Sequence, residues 1–374
     1  MPESSDVVIV GGGAAGCSVA YHLALAGVKS IIVEGQGVAT QASGFSAGGL
    51  NPLQGSGIPG PLGPLAMESY LMHLDLFSQL LEDTGIDYEG RIISLLKVAF
   101  DESGLGELQD TEDVFAPVDG FDARRLNTKE VLELEPRISP KVIQGLVARG
   151  NAALDSYKYT LALLQSAEKL GASIRSGTVA GLEKVNNRVT EVRLIDDTIS
   201  CGQVVLAMGP WSRRAEAWLD TYIPVDPLKG EILRTELPGP PLYYDISGGG
   251  GSVTPKPDGL VWCGSTEEWK GFDKEPTASS RQSILEGAIR LIPDMSEARL
   301  SLQTACLRPV TPDWLPIIGQ VPGWDNVYLA TGAGKKGILL SPGIGKSVAD
   351  IMTQGETKLS ISAFNPNRFA SNEI

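Results

Sequence analysis

The sequence predicts an α/β fold of two domains, with a βαβ unit on a parallel sheet at its N-terminus. The chain has 374 residues, more than one hydrophobic core normally supports. The apolar, β-branched run Val7–Val10 leads straight into a glycine-rich turn, as a buried parallel strand does in such units. A helical stretch, residues 17–26, and a second apolar strand, residues 30–33, complete the unit.

Composition and charge exclude several classes of function. The formal net charge of −14 argues against non-specific binding to nucleic acid or to an anionic membrane. The four cysteines form no Cys-x-x-Cys pair, so neither a disulfide framework nor a metal site is predicted. The two histidines, His22 and His73, lie on predicted helices and are expected to be structural. No apolar run is long enough for a transmembrane helix, and the first residues lack the pattern of a signal peptide, so we expect a cytoplasmic protein.

The turn after the first strand fits the pattern G-x-G-x-x-G at Gly11, Gly13 and Gly16. In a dinucleotide-binding unit the first glycine permits the tight turn and the second lets the backbone approach a pyrophosphate. The third allows close packing of helix on strand. Glu34 ends the second strand, where a carboxylate can accept hydrogen bonds from ribose hydroxyls. Because the strand, the glycine turn, the helix and the terminal acidic residue follow one another at the expected spacing, the sequence predicts a dinucleotide-binding site.

Two further segments favour FAD over NAD as the dinucleotide. The polar, glycine-rich stretch Ala42–Pro52 suits a backbone that wraps an extended cofactor. Gly332–Gly337 follows a predicted strand and precedes a helix, but too little chain remains for a second nucleotide unit. We interpret this helix N-terminus, with Lys335 and Lys336, as directed at the anionic edge of a flavin. A solvated turn is the alternative for the two lysines.

Four more motifs carry a family resemblance: Gln203–Ser212, Pro227–Glu231, Gly264–Asp273 and Cys306–Gly319. With the N-terminal unit, they make the sequence resemble the D-amino-acid oxidase superfamily of FAD-dependent oxidoreductases, and within it the glycine oxidase and sarcosine oxidase branches. The resemblance spans nearly the whole chain.

The resemblance implies a discontinuous, Rossmann-like FAD-binding domain and a second, α+β substrate domain on a mixed, largely antiparallel sheet. The FAD domain is expected to comprise residues 1–52, 150–220 and 310–360, and the substrate domain residues 53–149 and 221–309, followed by a C-terminal tail, residues 361–374.

The resemblance also assigns site residues. Arg308 is expected to bind the substrate carboxylate, because a guanidinium offers it two parallel hydrogen bonds. Lys335 is expected beside the pyrimidine edge of the flavin or in oxygen activation, with Lys336 less favoured. Val179 is expected to pair with the adenine edge through its backbone. The residues expected to bind FAD are Gly11, Gly13, Gly16, Glu34, Ser43, Gly48, Gly49, Val179, Gly209, Trp211, Gly334, Lys335, Gly337 and Ile338.

FAD is expected to be held non-covalently, although Cys306 has the spacing to Thr311-Pro-Asp at which monomeric sarcosine oxidases form a thioether. The implied reaction oxidises the C–N bond of a small amine or amino acid of the glycine, sarcosine or D-amino-acid type. Hydride passes to flavin N5 and water hydrolyses the imine, with dioxygen or an electron carrier such as a quinone as final acceptor. A non-catalytic flavin-binding subunit or assembly factor and, less favoured, an NAD-linked hydroxy-acid dehydrogenase stay open as alternative functions.

Ala333 and Ser252 depart from the family pattern, so the exact amine stays open. The glycine-rich segment Gly248–Gly251 is expected to border the active-site entrance.

Overall fold

The computed structural model describes residues 3–369. Residues 1 and 2 of the predicted FAD domain and residues 370–374 of the predicted tail lie outside the described residues.

Within that range the strands, in chain order, are β1 (Glu3–Val10), β2 (Ser30–Glu34), β3 (Gly49–Leu50), β4 (Arg91–Ala99), β5 (Asp122–Asn127), β6 (Gln144–Ala153), β7 (Ser173–Ser176), β8 (Val179–Val185), β9 (Arg188–Leu194), β10 (Thr198–Leu206), β11 (Asp226–Glu236), β12 (Asp245–Gly248), β13 (Gly251–Pro255), β14 (Val261–Gly264), β15 (Arg299–Val310), β16 (Ile317–Gln320) and β17 (Val327–Thr331).

The α-helices in the same range are α1 (Ala14–Leu25), α2 (Ala42–Phe45), α3 (Gly63–Thr84), α4 (Glu102–Phe115), α5 (Thr128–Leu134), α6 (Ser156–Lys169), α7 (Glu216–Leu219), α8 (Ala278–Leu291) and α9 (Gly337–Gln354). Two short 3₁₀ helices, Gly209–Ala215 and Gly334–Lys336, matter for the site.

The first sheet is built on a parallel core in the order β17-β10-β1-β2-β7, with β16 antiparallel at one edge. The β8–β9 hairpin extends this sheet from β10. The predicted β1–α1–β2 unit is present. Its first strand is buried from Val7 to Val10 because helices and loops cover both faces of the sheet.

Helices α1, α6 and α9 contact strands of the first sheet, and α3 packs against α6 and α9, so that the four helices enclose a large hydrophobic core. Helix α9 lies very close to α1, since a Cβ at Gly345 would lie 2.1 Å from the hydroxyl of Ser18. This packing fixes α9, whose first residue, Gly337, lies at the carboxyl edge of the sheet beside the end of β17.

The second sheet has the order β15-β11-β14-β13-β12-β4-β6-β3, with β5 also paired to β6. Its pairs are antiparallel except β12–β4, so the predicted mixed, largely antiparallel sheet is confirmed. Helix α8 packs on this sheet. Gly248–Gly251 closes the β12–β13 hairpin, and Gly251 packs against Gly287 of α8. That this segment borders the site entrance stays a prediction.

The two sheets take their strands from alternating parts of the chain. The first sheet uses residues 3–34, 173–206 and 317–331, and the second uses residues 49–50, 91–153 and 226–310. The exact domain boundaries stay a prediction. No helix among residues 3–369 is both long and apolar enough to cross a membrane.

Candidate active site

A cavity of about 490 Å³ lies where the two sheets meet, within the usual size range of ligand pockets. One wall is the carboxyl edge of the first sheet, with Val10, Glu34 and Thr331 at the strand ends. The opposite wall comes from strands β11 and β15 of the second sheet, through Ile232 and Arg308. In open α/β sheets this edge is where ligands bind.

The three glycines of the N-terminal turn have different positions. Gly11 has a φ of +112°, and a Cβ there would lie 2.4 Å from the carbonyl oxygen of Ala207. Gly13 lines the cavity. Gly16 is buried behind it, where a Cβ would lie 2.0 Å from the carbonyl oxygen of Gly11. Gly16 therefore allows close packing of α1 on β1 and does not line the cavity.

The N-terminus of α1 opens onto the cavity. Its N-cap residue, Gly13, offers no side-chain cap, and the amide of Ala14 donates to Ser43 Oγ at 2.9 Å. Ala15, whose amide belongs to the same first turn, also lines the cavity. First-turn amides have no intrahelical acceptor, so this end of the helix is suited to an anion.

Glu34 lines the cavity and also holds the surrounding loops. Its Oε2 accepts a hydrogen bond from the amide of Gly12 at 2.7 Å, and its Oε1 accepts one from the amide of Gln36 at 2.8 Å. The carboxylate therefore joins the glycine turn to the end of β2. Contact with a ribose stays a prediction.

Three other predicted FAD-binding residues line the same part of the cavity. Gly48, with a φ of +77°, lies so close to Leu154 that a Cβ would come within 1.9 Å of its carbonyl oxygen. A Cβ at Gly49 would meet open space, and with no side chain at this position the backbone itself lines the cavity. Val179, the first residue of β8, also lines it.

The segment Gly209–Ala215 carries Gly209 and Trp211 to the cavity. Ser212 fixes this segment, because its hydroxyl lies 2.6 Å from the hydroxyl of Thr331 at the end of β17. The ring of Trp211 stacks on Phe272 with centroids 5.9 Å apart.

The C-terminal glycine loop contributes all four of its predicted residues, Gly334, Lys335, Gly337 and Ile338. The ammonium of Lys335 lies 2.6 Å from Glu267 Oε1 and 5.3 Å from the ring centre of Trp314. Lys335 is thus an ion-paired residue at the cavity.

Lys336 lies away from the cavity and has a different environment. Its ammonium donates to the carbonyl oxygens of Asn51, at 3.1 Å, and Gln54, at 2.5 Å. Burial, and secondarily the charge of Lys335, lowers the pKa of Lys336 to about 8.

Arg308 lines the cavity from β15. One terminal nitrogen donates to the carbonyl oxygen of Thr266 and the other to Ser265 Oγ, both at 3.0 Å. Among residues 3–369 no carboxylate forms an ion pair with it. An immobilised guanidinium with neutral partners is suited to binding an anionic ligand.

Cys306 lies on the same strand and also lines the cavity. Burial raises the pKa of its thiol, against an opposing effect of Arg308, so little of the nucleophilic thiolate is present at neutral pH. All four cysteines are free.

The structure thus gathers every predicted site residue except Gly16 around one cavity. Several other residues that line the cavity were not predicted from the sequence. Ser265 lies inside the Gly264–Asp273 motif and Thr178 lies next to Val179, so position could have indicated both. Arg214 lies two residues beyond the Gln203–Ser212 motif. Phe45 lies inside the predicted cofactor-wrapping stretch Ala42–Pro52, while Gln41 directly precedes that stretch and Ile232 directly follows the Pro227–Glu231 motif.

The family described as FAD dependent oxidoreductase (DAO) matches residues 6–351. The chain belongs to this family. It is 29% identical to the glycine oxidase of Geobacillus kaustophilus over 370 residues, covering 98% of each protein. The crystal structure of glycine oxidase from that organism superposes with a TM-score of 0.92 at 28% identity, covering 98% of this chain and 99% of the other. Glycine oxidase from Bacillus cereus superposes with a TM-score of 0.87 at 31% identity, covering 94% and 96%.

This DAO-family protein is an FAD-dependent oxidoreductase, and its cavity fits FAD. Backbone bare of side chains faces the cavity at Gly49, Gly209 and Gly334, where a Cβ would meet open space. The N-termini of α1 and α9 supply positive potential, and Glu34 supplies an acceptor for hydroxyl groups.

Proposed function

We propose that the protein oxidises the C–N bond of a small amine that carries a carboxylate, such as glycine, sarcosine or a D-amino acid. The observation that carries this proposal is Arg308, a cation held in the wall of the cavity by two neutral partners, Ser265 and Thr266. The similarity to glycine oxidases supports the same class of substrate.

The residues of the chain would bind and orient the substrate. Arg308 fixes the carboxylate, while the apolar side chain of Ile232 and the buried thiol of Cys306 line the same wall. FAD supplies the two-electron acceptor, and water then hydrolyses the imine product. The substrate amine would react in its neutral form, because its lone pair forms the C=N bond as hydride leaves. Neither histidine lines the cavity, so within the described residues no imidazole there takes up the proton of the ammonium form.

The test is anaerobic reduction of the FAD-loaded protein. Bleaching of the flavin band by glycine, sarcosine, D-amino acids, L-proline or simple amines would identify the substrate class. Readmission of air separates an oxidase from a dehydrogenase that uses an electron carrier. Failure of every amine would overturn the proposal and favour a non-catalytic flavin-binding subunit.

Arg308→Met tests the role of the guanidinium. The KM for carboxylated amines should rise by orders of magnitude, because the substrate anion loses two charge-assisted hydrogen bonds. The flavin should remain bound, since FAD would contact mainly the first sheet. An unchanged KM would show that Arg308 does not bind the substrate.

The cytoplasmic location of the protein stays a prediction.

A further inference from the structure

Two cations line the same end of the cavity, on chain segments that meet at one β-bridge. Ala333 forms an antiparallel bridge with Val310. Arg308 lies on β15, which contacts the 3₁₀ helix Gly334–Lys336 that carries Lys335. The partners of the two cations are consecutive in the chain, since Ser265 and Thr266 bind Arg308 and Glu267 binds Lys335. The side chains of both cations line the cavity.

The two cations differ in their partners. Lys335 forms a 2.6 Å ion pair with Glu267, so their charges cancel. Arg308 has only a hydroxyl and a carbonyl oxygen as partners and keeps its full charge. A third cavity-lining cation, Arg214, is exposed on the segment Gly209–Ala215, with its guanidinium carbon 6.0 Å from the ring centre of Phe272.

One short stretch of chain produces this difference. Ser265 and Thr266 hold Arg308, and the next residue, Glu267, neutralises Lys335. As a stabilising contact this ion pair counts for little, because both side chains are partly exposed, at 32% and 44%. Its effect on a charged ligand is larger. A carboxylate approaching Lys335 meets the negative charge of Glu267 at its ammonium, whereas no carboxylate of the described residues is ion-paired with Arg308.

We propose that the Glu267–Lys335 ion pair makes the substrate end of the cavity selective for ligands with a single carboxylate. Arg308 accepts that carboxylate, and Glu267 both masks the second cation and repels a second carboxylate. This inference rests on the proposed function only in placing the substrate at this end of the cavity.

The experiment measures ligand preference without turnover. (Methylthio)acetate and thiodiacetate differ by one carboxylate and carry no amine, so neither can be oxidised at a C–N bond. Their dissociation constants come from the perturbation of the flavin absorption spectrum in FAD-loaded protein. We expect the wild-type protein to bind (methylthio)acetate more tightly. In Glu267→Gln the affinity for thiodiacetate should rise about tenfold or more, as expected for a newly available charged hydrogen bond, with a much smaller change for (methylthio)acetate.

The double variant Glu267→Gln/Lys335→Met is the matched control, because it removes the cation that Glu267→Gln exposes. The increase in affinity for thiodiacetate should be absent from this double variant. Lys335→Met alone leaves Glu267 without its cation and should weaken the binding of thiodiacetate more than that of (methylthio)acetate. FAD content confirms that each variant retains its fold at the site.

Two results would overturn the proposal. One is an equal change for both ligands in Glu267→Gln. The other is a gain that persists in the double variant, which would assign it to another cation such as Arg214. Failure of the proposed reaction is a separate result, since it leaves the flavin unbleached by every amine whatever the ligand preference.

Discussion

The guanidinium of Arg308 lies directly against Gly230, where a Cβ would come within 2.2 Å of both terminal nitrogens. Gly230 is paired with Cys306 on β15, so the Arg308 side chain extends across the neighbouring strand to reach Ser265 and Thr266. A side chain at position 230 would occupy the space of the guanidinium. Gly230 is therefore a positioning residue for Arg308.

Gly230→Ala should displace the guanidinium and weaken both of its hydrogen bonds. We expect the KM for carboxylated amines to rise roughly tenfold or more, with FAD content retained, from the 1.5–3 kcal/mol typical of hydrogen bonds to charged groups. Steady-state kinetics and titration with (methylthio)acetate measure this. Gly106→Ala, at a helical position where a Cβ meets nothing, is the control. An unaltered KM would show that Arg308 can bind substrate from a shifted position.

The N-terminal unit could be predicted because its signals are local. Strand, glycine turn, helix and terminal acid follow one another within a few dozen residues, and each has its own sequence pattern. Even there the boundary was inexact, since α1 begins at Ala14 and the prediction began it at Cys17. Gly13, in an extended conformation, is the N-cap and leaves no side-chain signal of the start.

The groups that bind Arg308 and Lys335 could not be predicted from the sequence. The family motif indicated Arg308, but its acceptor Thr266 lies 42 residues away, in the loop that follows β14. Lys335 and Glu267 are separated by 68 residues. Such contacts depend on how the two sheets pack, and no local pattern records that packing. The sequence therefore indicated both cations but not that one of them is neutralised.

Glu34→Gln should weaken FAD binding. The carboxylate lines the cavity and accepts hydrogen bonds from Gly12 and Gln36, and an amide can accept through only one of its two atoms. We expect the Kd for FAD to rise roughly 10- to 100-fold, the range for loss of a hydrogen bond to a charged group. Fluorescence titration of apoprotein with FAD measures it. Glu183→Gln, on the same sheet outside the cavity, is the control, and an equal Kd in both variants would contradict the role of Glu34.

Denaturation in acid should release the flavin into the supernatant. The thiol of Cys306 lines the cavity, but burial raises its pKa, so the thiolate needed for a thioether is scarce at neutral pH. Absorbance of the supernatant and of the precipitate measures the partition. Flavin that stays with the precipitated wild-type protein and is lost from Cys306→Ser would instead establish a covalent link.

Acidification should destabilise the protein between pH 6.5 and 4 through its two histidines. His73 is fully buried, and its Nε2 donates to the carbonyl oxygen of Ile338, which leaves Nδ1 without a partner within the described residues. Burial lowers the pKa of His73 to about 4, and burial likewise lowers that of His22 to about 4, from a usual 6.5. Below pH 6.5 the unfolded chain binds protons that the folded protein does not, so the free energy of unfolding falls as the pH falls towards 4.

At pH 5 this loss is roughly 2 kcal/mol for each histidine, relative to pH 7. Urea unfolding of FAD-saturated protein at the two pH values measures it. His22→Gln/His73→Gln keeps a hydrogen-bond donor at each position but removes both titrating groups. The loss of unfolding free energy between pH 7 and pH 5 should therefore shrink by most of the combined contribution of the two histidines. If the double variant loses as much stability on acidification as the wild-type protein, the acid sensitivity belongs to the carboxylates.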